Sequence, residues 1–260
     1  MTLIGLDPTT LVPVSCANLE SFQDKREDWH APDAIHTYFT NLLCRSPKLT
    51  VFHALYRCDR GSLADAVSPR CEETLLRSLS LPQLKQAVLS QSAADCLGDF
   101  HDLLFHSQCH TLKLSINDVR LNESLLPILR LSPALVSLKV GARDWFISDD
   151  NSVQNLFRHL LESPELVPRL KSIKFNLSLF GVLDKVYFFN HIMVEMIEAR
   201  RASSLRTFQV TSTFTQDDVD TFCDWTDDDL RQLCKIKVEG FDVRIIAYLY
   251  YDREERRIYV

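Results

Sequence analysis

Apolar residues recur along this chain in a fixed spacing, L-x-x-L-x-L, which alternates between helical and extended periods. The clearest copy is Cys109-His110-Thr111-Leu112-Lys113-Leu114-Ser115-Ile116-Asn117-Asp118-Val119, in the L-x-x-L-x-L-x-x-N-x-L order with Cys in the first slot. Aligned on that slot, Leu135-x-x-Leu138-x-Val140, Leu170-x-x-Ile173-x-Phe175, Leu205-x-x-Phe208-x-Val210 and Leu233-x-x-Ile236-x-Val238 follow it. Leu49-x-x-Phe52-x-Ala54 and Leu84-x-x-Ala87-x-Leu89 precede it, and Leu19-x-x-Phe22 is a degraded first copy. The first slots run from 19 to 233, a mean step of about 31 residues, which is enough for one strand and one helix. Pro47, Pro82, Pro133 and Pro168 each stand two residues before a first slot, where a helix must hand over to a strand.

Between the copies the period shifts to that of a helix. From Asp33, a plausible N-cap, Ile35, Phe39, Leu42 and Leu43 share one face. Residues 57–70 read as loop, and a short helix carries Leu75, Leu76 and Leu79. Further helices carry Leu97, Phe100, Leu104 and Phe105, then Leu125, Leu126 and Leu129 behind Asn122. Another carries Val153, Leu156, Phe157, Leu160 and Leu161 behind the acidic Asp149-Asp150. The longest is expected over Phe188 to Arg201, with Arg200-Arg201 at its negative end, and Asp217-Asp218 opens the last. Strands alternating with amphipathic helices predict an α/β leucine-rich-repeat solenoid, with a curved parallel sheet on the concave face and helices on the convex face. The expected organisation is an irregular segment or partial first repeat over 1–33, the repeat domain over 34–246 and a charged, aromatic tail over 247–260.

Alternation across a strand puts the residue between the last two apolar slots on the exposed concave face. In the five C-terminal copies that residue is Lys113, Lys139, Lys174, Gln209 and Lys237. Two residues earlier stand Thr111, Ser137, Ser172 and Thr207, and two later Ser115, Gly141, Asn176 and Thr211. The expected surface is a lysine column flanked by hydroxyl and amide groups. Strands about 4.8 Å apart bring like charges close enough to repel by a little under ~1 kcal/mol per pair in water. A bound anionic segment would relieve that repulsion, so acidic or phosphorylated peptide is the natural ligand of such a groove. Exposed lysine also keeps a sheet from pairing with other chains, a role that needs no ligand.

Composition narrows the remaining classes. Only six glycines occur, and no G-x-G-x-x-G, G-x-x-x-x-G-K-[ST] or G-x-S-x-G is present, so phosphate-cradling loops and a nucleophile elbow are not expected. A net charge of −6 argues against a general nucleic-acid binder. Met1 to Val14 has the pattern of neither a signal peptide nor a membrane span, and no long apolar run occurs elsewhere. The eight cysteines are scattered, as expected of reduced thiols in a cytoplasmic or nuclear protein. Cys96, His101, His106, Cys109 and His110 invite a zinc site, but their spacing fits no zinc pattern and Cys109 occupies a core slot. The seven aspartates from Asp217 to Asp229 lack the order and central glycine of a calcium loop. No motif gathers a nucleophile with its base. The expectation is a non-enzymatic interaction module without cofactor or metal.

Val194-Glu195-Met196-Ile197-Glu198-Ala199-Arg200-Arg201, Leu205-Arg206-Thr207-Phe208-Gln209-Val210, Asp229-Leu230-Arg231-Gln232-Leu233 and Glu239-Gly240-Phe241-Asp242-Val243-Arg244-Ile245 resemble the ending of fungal F-box proteins with leucine-rich repeats, especially the basidiomycete type. The resemblance covers roughly residues 185 to 246. It implies substrate selection by the repeats, with an F-box docked on the Skp-type adaptor of a cullin-RING ubiquitin ligase. Nothing from Met1 to Arg45 matches an F-box. A free-standing scaffold or inhibitor without a ubiquitin link is the alternative expectation.

Overall fold

The computed structural model describes residues 2–4, 16–24, 41–55, 76–77, 79–90, 96–143, 145–179, 186–214, 225–249 and 256–258. They fall into two compact units, Met1–Arg120 and Leu121–Val260. Both are α/β, built on parallel strands.

In the first unit, β1 (Thr2–Ile4), β2 (Ser21–Asp24), β3 (Val51–Leu55), β4 (Gln86–Ser90) and β5 (Lys113–Asn117) pair parallel in chain order. Helix α1 (Cys96–Ser107) precedes β5. Phe22, Phe52, Ala87 and Leu114 are consecutive register partners, all buried, and Phe22 and Phe52 stack with ring centroids 6.1 Å apart. Two consecutive N–H groups of each incoming strand converge on one carbonyl of the preceding strand: Thr50 and Val51 on Glu20, Lys85 and Gln86 on Thr50, and Leu112 and Lys113 on Lys85. This fixes the register before the strand proper begins. The expected helix over Asp33 to Leu43 lies partly outside the described residues, which show a helical stretch at 41–44 with Leu42 and Leu43 buried. The predicted loop at 57–70 lies outside them entirely.

The second unit contains α2 (Leu125–Arg130), β6 (Ser137–Ala142), α3 (Ile147–Glu162), β7 (Ser172–Leu179), α4 (His191–Arg201), β8 (Thr207–Phe214), α5 (Asp227–Val238), β9 (Asp242–Leu249) and β10 (Arg256–Ile258). Strands β6 to β9 are parallel in chain order, and β10 runs antiparallel to β9. Ser137, Ser172, Thr207 and Asp242 are register partners, each 35 residues after the last. The buried partners Leu138, Ile173, Phe208 and Val243, and then Val140, Phe175, Val210 and Ile245, form the sheet side of the core. An aromatic cluster closes it: the ring of Phe157 on α3 meets those of Phe175, Phe188 and Phe208 edge-on at 5.8–5.9 Å. Each such ring contributes roughly 1.5–3 kcal/mol by leaving water.

The prolines act in the turns that deliver each strand. Leu49, Leu84, Leu135 and Leu170 donate their N–H to the carbonyls of Ser46, Leu81, Ser132 and Val167, so Pro47, Pro82, Pro133 and Pro168 occupy the second position of a four-residue turn, which their fixed φ suits. Val167 holds φ at +44°, a left-handed value that costs a β-branched residue on the order of 1–3 kcal/mol. Burial of its side chain to 1 % exposure offsets part of that.

Helix ends depend on neighbours. Helix α3 ends at Glu162, and Leu160 would normally accept a bond from residue 164, which is proline and has no N–H. Arg200 on α4 replaces it. Its Nε donates to Leu160 O at 2.6 Å, Nη2 to Ser163 O at 2.7 Å and Nη1 to Pro164 O at 3.1 Å. Arg200 was expected to serve its own helix end; it is buried instead against the end of another. Its backbone carbonyl accepts from Ser203, Ser204 and Leu205, tying the same residue to the start of β8. At the other end of α3, Asp149 accepts from Phe146 N and Leu121 N, and the fully buried Asp150 accepts from Trp145 Nε1 at 3.1 Å and Gln154 Nε2 at 3.2 Å. Burial pushes the Asp150 carboxyl above its ordinary range, against the opposing pull of these bonds and of those from the Phe188 and Tyr187 backbone.

Three expectations change. Residues 233–238, expected as a strand, belong to α5; Leu233 and Ile236 are buried on a helix face and Val238 is 88 % exposed. An L-x-x-I spacing serves either period, and the capping box decides: Thr226 Oγ1 accepts from Asp229 N while Asp229 Oδ2 accepts from Thr226 N. Gly240, at φ +90°, then turns the chain into β9, the true last copy. Asp217-Asp218, expected to open the last helix, lies outside the described residues and is not among the three; α5 itself opens at Asp227. Helix α4 begins only at His191, capped by Asn190 Oδ1 accepting from Ile192 N, because Phe188 and Phe189 are drawn into the core; α3 is longer. Finally, the pairing of Ala87 with Leu114 shifts the central copy by two residues, so that Thr111, at 0 % exposure, takes the first slot ahead of Leu114 and Ile116.

Candidate functional site

Alternation in β6 to β9 turns one set of side chains into the core and leaves the other on the opposite face. In the second unit that face carries three rows fixed by register: Ser137, Ser172, Thr207 and Asp242; Lys139, Lys174, Gln209 and Arg244; Gly141, Asn176, Thr211 and Ile246. Ser137, Ser172, Lys139, Lys174, Thr207, Gln209 and Thr211 are half-buried, and Asn176 is exposed. They are brought together as the spacing predicts.

The lysine column is shorter than expected. Lys139 and Lys174 are direct register partners, and among the described residues neither forms an ion pair. Beyond them the charge is balanced: Asp242 Oδ1 accepts from Arg244 Nε at 2.6 Å, and its Oδ2 from Gln209 Nε2 at 3.1 Å. Lys237 is exposed in the last turn of α5, so it is not part of the strand row, and Arg244 takes the place assigned to it. Arg244 and Asp242 were missed, although the 35-residue step from Gln209 and Thr207 lands on them. In the first unit Lys113 is exposed and pairs in register with Gln86, and Ser115 with Val88. Ser115 and Asn117 hydrogen-bond one another, and Asn117 Nδ2 reaches Ser90 Oγ at 3.4 Å. Thr111 is buried beside Cys109, 3.8 Å from its sulfur, and does not reach this surface.

Ser172 Oγ is enclosed and makes no hydrogen bond. It sits one alternation before Lys174, between Ser137 and Thr207. The polar groups around Lys139 and Lys174 are therefore ammonium, hydroxyl and amide groups, a set suited to recognising carboxylate, phosphate or peptide carbonyl oxygen. It offers no nucleophile held by a base.

Among the described residues no group of three or more His, Cys, Asp or Glu side chains could hold a metal ion. Of the histidine and cysteine cluster, Cys96 and Cys109 are buried, and His101 Nδ1 lies 3.2 Å from Asp102. Burial raises the Cys109 thiol above its ordinary value, which suppresses thiolate. No helix among the described residues is long and apolar enough to cross a membrane. No protein-family model matches the chain, and no curated protein matches it.

Proposed function

We propose that the chain is a leucine-rich-repeat solenoid acting as a non-enzymatic protein-interaction module, whose exposed strand face takes an acidic or phosphorylated segment of a partner. The Lys139–Lys174 pair carries the reading: two lysines that are register partners, without a counter-charge among the described residues, set among hydroxyls and amides with one hydroxyl unsatisfied. Chain-order parallel strands delivered by proline turns, with 35-residue steps in the second unit, support the repeat architecture. The resemblance of residues 185 to 246 to fungal F-box proteins extends the proposal to selecting proteins for ubiquitination.

Binding of a fluorescent polyglutamate peptide, read by anisotropy, tests the face. K139Q/K174Q should weaken it roughly fivefold to tenfold while leaving thermal unfolding unchanged. Equal binding by wild type and double variant would sink the proposal. Capture from cells separates the two roles of such a module: recovery of a Skp-type adaptor supports the ligase reading, and its absence a free-standing scaffold or inhibitor.

A further inference from the structure

At the edge of the second unit where β7 and β8 begin lies a cleft of about 580 Å³, separate from the strand face and lined by Arg169, Lys171 and Arg206 beside Pro168, Val136 and Ser204. Three cationic residues share this one lining because the strands start in step. Lys171 N donates to Val136 O and Arg206 N to Lys171 O, each at 2.8 Å, so residues 171 and 206 are lateral neighbours. All three side chains are exposed, and among the described residues none forms an ion pair.

The carboxylates that share a second cleft with Arg206 are already engaged. In the adjoining cleft, Glu198 and Glu239 are held by Arg201, and Glu198 also by Gln232. Arg206 is itself aimed: Nη1 donates to Arg201 O and Leu205 O, both at 3.1 Å, leaving the Nε and Nη2 edge of the guanidinium for a ligand. Arg169 is delivered by the turn that contains Val167, the β-branched residue at φ +44°. Local strain of this kind recurs at ligand clamps. Here it lies in the turn that carries Pro168 and Arg169, both of which line the cleft.

The geometry points to a binding site for a small phosphate monoester. Two guanidinium groups and an ammonium suit a phosphate dianion, which planar N–H pairs grip in bidentate fashion. The volume exceeds that of phosphate alone and lies in the range of small-molecule sites, with Pro168 and Val136 as an apolar wall for the esterified group. This goes beyond the proposed peptide-binding face and uses none of its residues.

Equilibrium dialysis of the full chain with inorganic phosphate and with a hexose monophosphate, at constant ionic strength, tests it. Saturable binding of the hexose phosphate is expected, competed by inorganic phosphate. It should fall at least tenfold in R169Q/K171Q/R206Q and be unchanged in R158Q, whose exposed cation lies on α3 outside the cleft. K139Q/K174Q should bind the ester as wild type does, so this outcome is independent of the peptide-binding proposal. Circular dichroism confirms that the triple variant folds, as its three exposed side chains allow. Absent binding, binding that survives the triple substitution, or an equal loss in R158Q would overturn the assignment.

Discussion

Replacing Arg200 by Met tests whether one buried guanidinium completes the end of another helix. Pro164 withholds the N–H that Leu160 O would otherwise receive, and Arg200 supplies it together with bonds to Ser163 and Pro164. Ser163 O keeps a second donor, Leu166 N, so Met leaves two carbonyls unsatisfied, those of Leu160 and Pro164. At about 1–3 kcal/mol for each unsatisfied acceptor, the gross loss is roughly 2–6 kcal/mol. Met escapes the desolvation that draws the Arg200 pKa below its ordinary value, so the net loss should be about 3 kcal/mol. For a chain of this size that lowers the melting temperature by on the order of 10 °C. Urea unfolding followed by far-UV circular dichroism measures it, and amide exchange at Ser163, whose N–H donates to His159 O, should quicken. R200K, with one compact ammonium in place of a fork, should recover about half. An R200M protein within about 0.5 kcal/mol of wild type, or an R200K protein no better than R200M, would refute the capping role.

The pH dependence of Asp150 follows from its raised pKa. A carboxyl whose pKa is higher folded than unfolded stabilises fully below its ordinary value of 3.8, and that contribution is lost as pH rises through the folded value. The stability difference between wild type and D150N should therefore decline from pH 4 upward, and parallel urea-midpoint profiles would contradict it. Substituting Thr226 by Ala removes the capping hydroxyl of α5 and should cost about 1 kcal/mol, with T226S nearly neutral, by thermal unfolding. Peptide-resolved alkylation of the native protein should label the exposed Cys44 and Cys234 and spare the buried Cys96 and Cys109 until denaturant is added.

Strand existence was legible because a period of two survives in the sequence wherever one face is buried. Leu138, Ile173 and Phe208 were assigned to the core from spacing and are buried register partners. The same period hid the error at Thr111, since a two-residue slip leaves every side chain on its face and only pairing with β4 exposes it. Leu233 and Ile236 fit both templates; the deciding signals were Thr226 with Asp229, and Gly240, which flank the apolar residues rather than belong to them. Arg200 was invisible for another reason. Its role depends on a proline 36 residues earlier, and no local pattern carries that distance. On the candidate face, Lys139 and Lys174 followed from alternation, whereas the neutralisation of Arg244 by Asp242 required the true position of the last strand.

Equal 35-residue steps from Ser137 to Asp242 make length itself modular in the second unit. Deleting or duplicating one whole cassette, from Ser172 to Arg206, would rejoin strands with inward and outward residues still matched and would change only how many rows a visitor can span. An indel of an odd number of residues inside a strand has no such refuge, because it swaps the two faces from that point to the end of that strand. Growth or shrinkage of this surface is thus permitted in quanta.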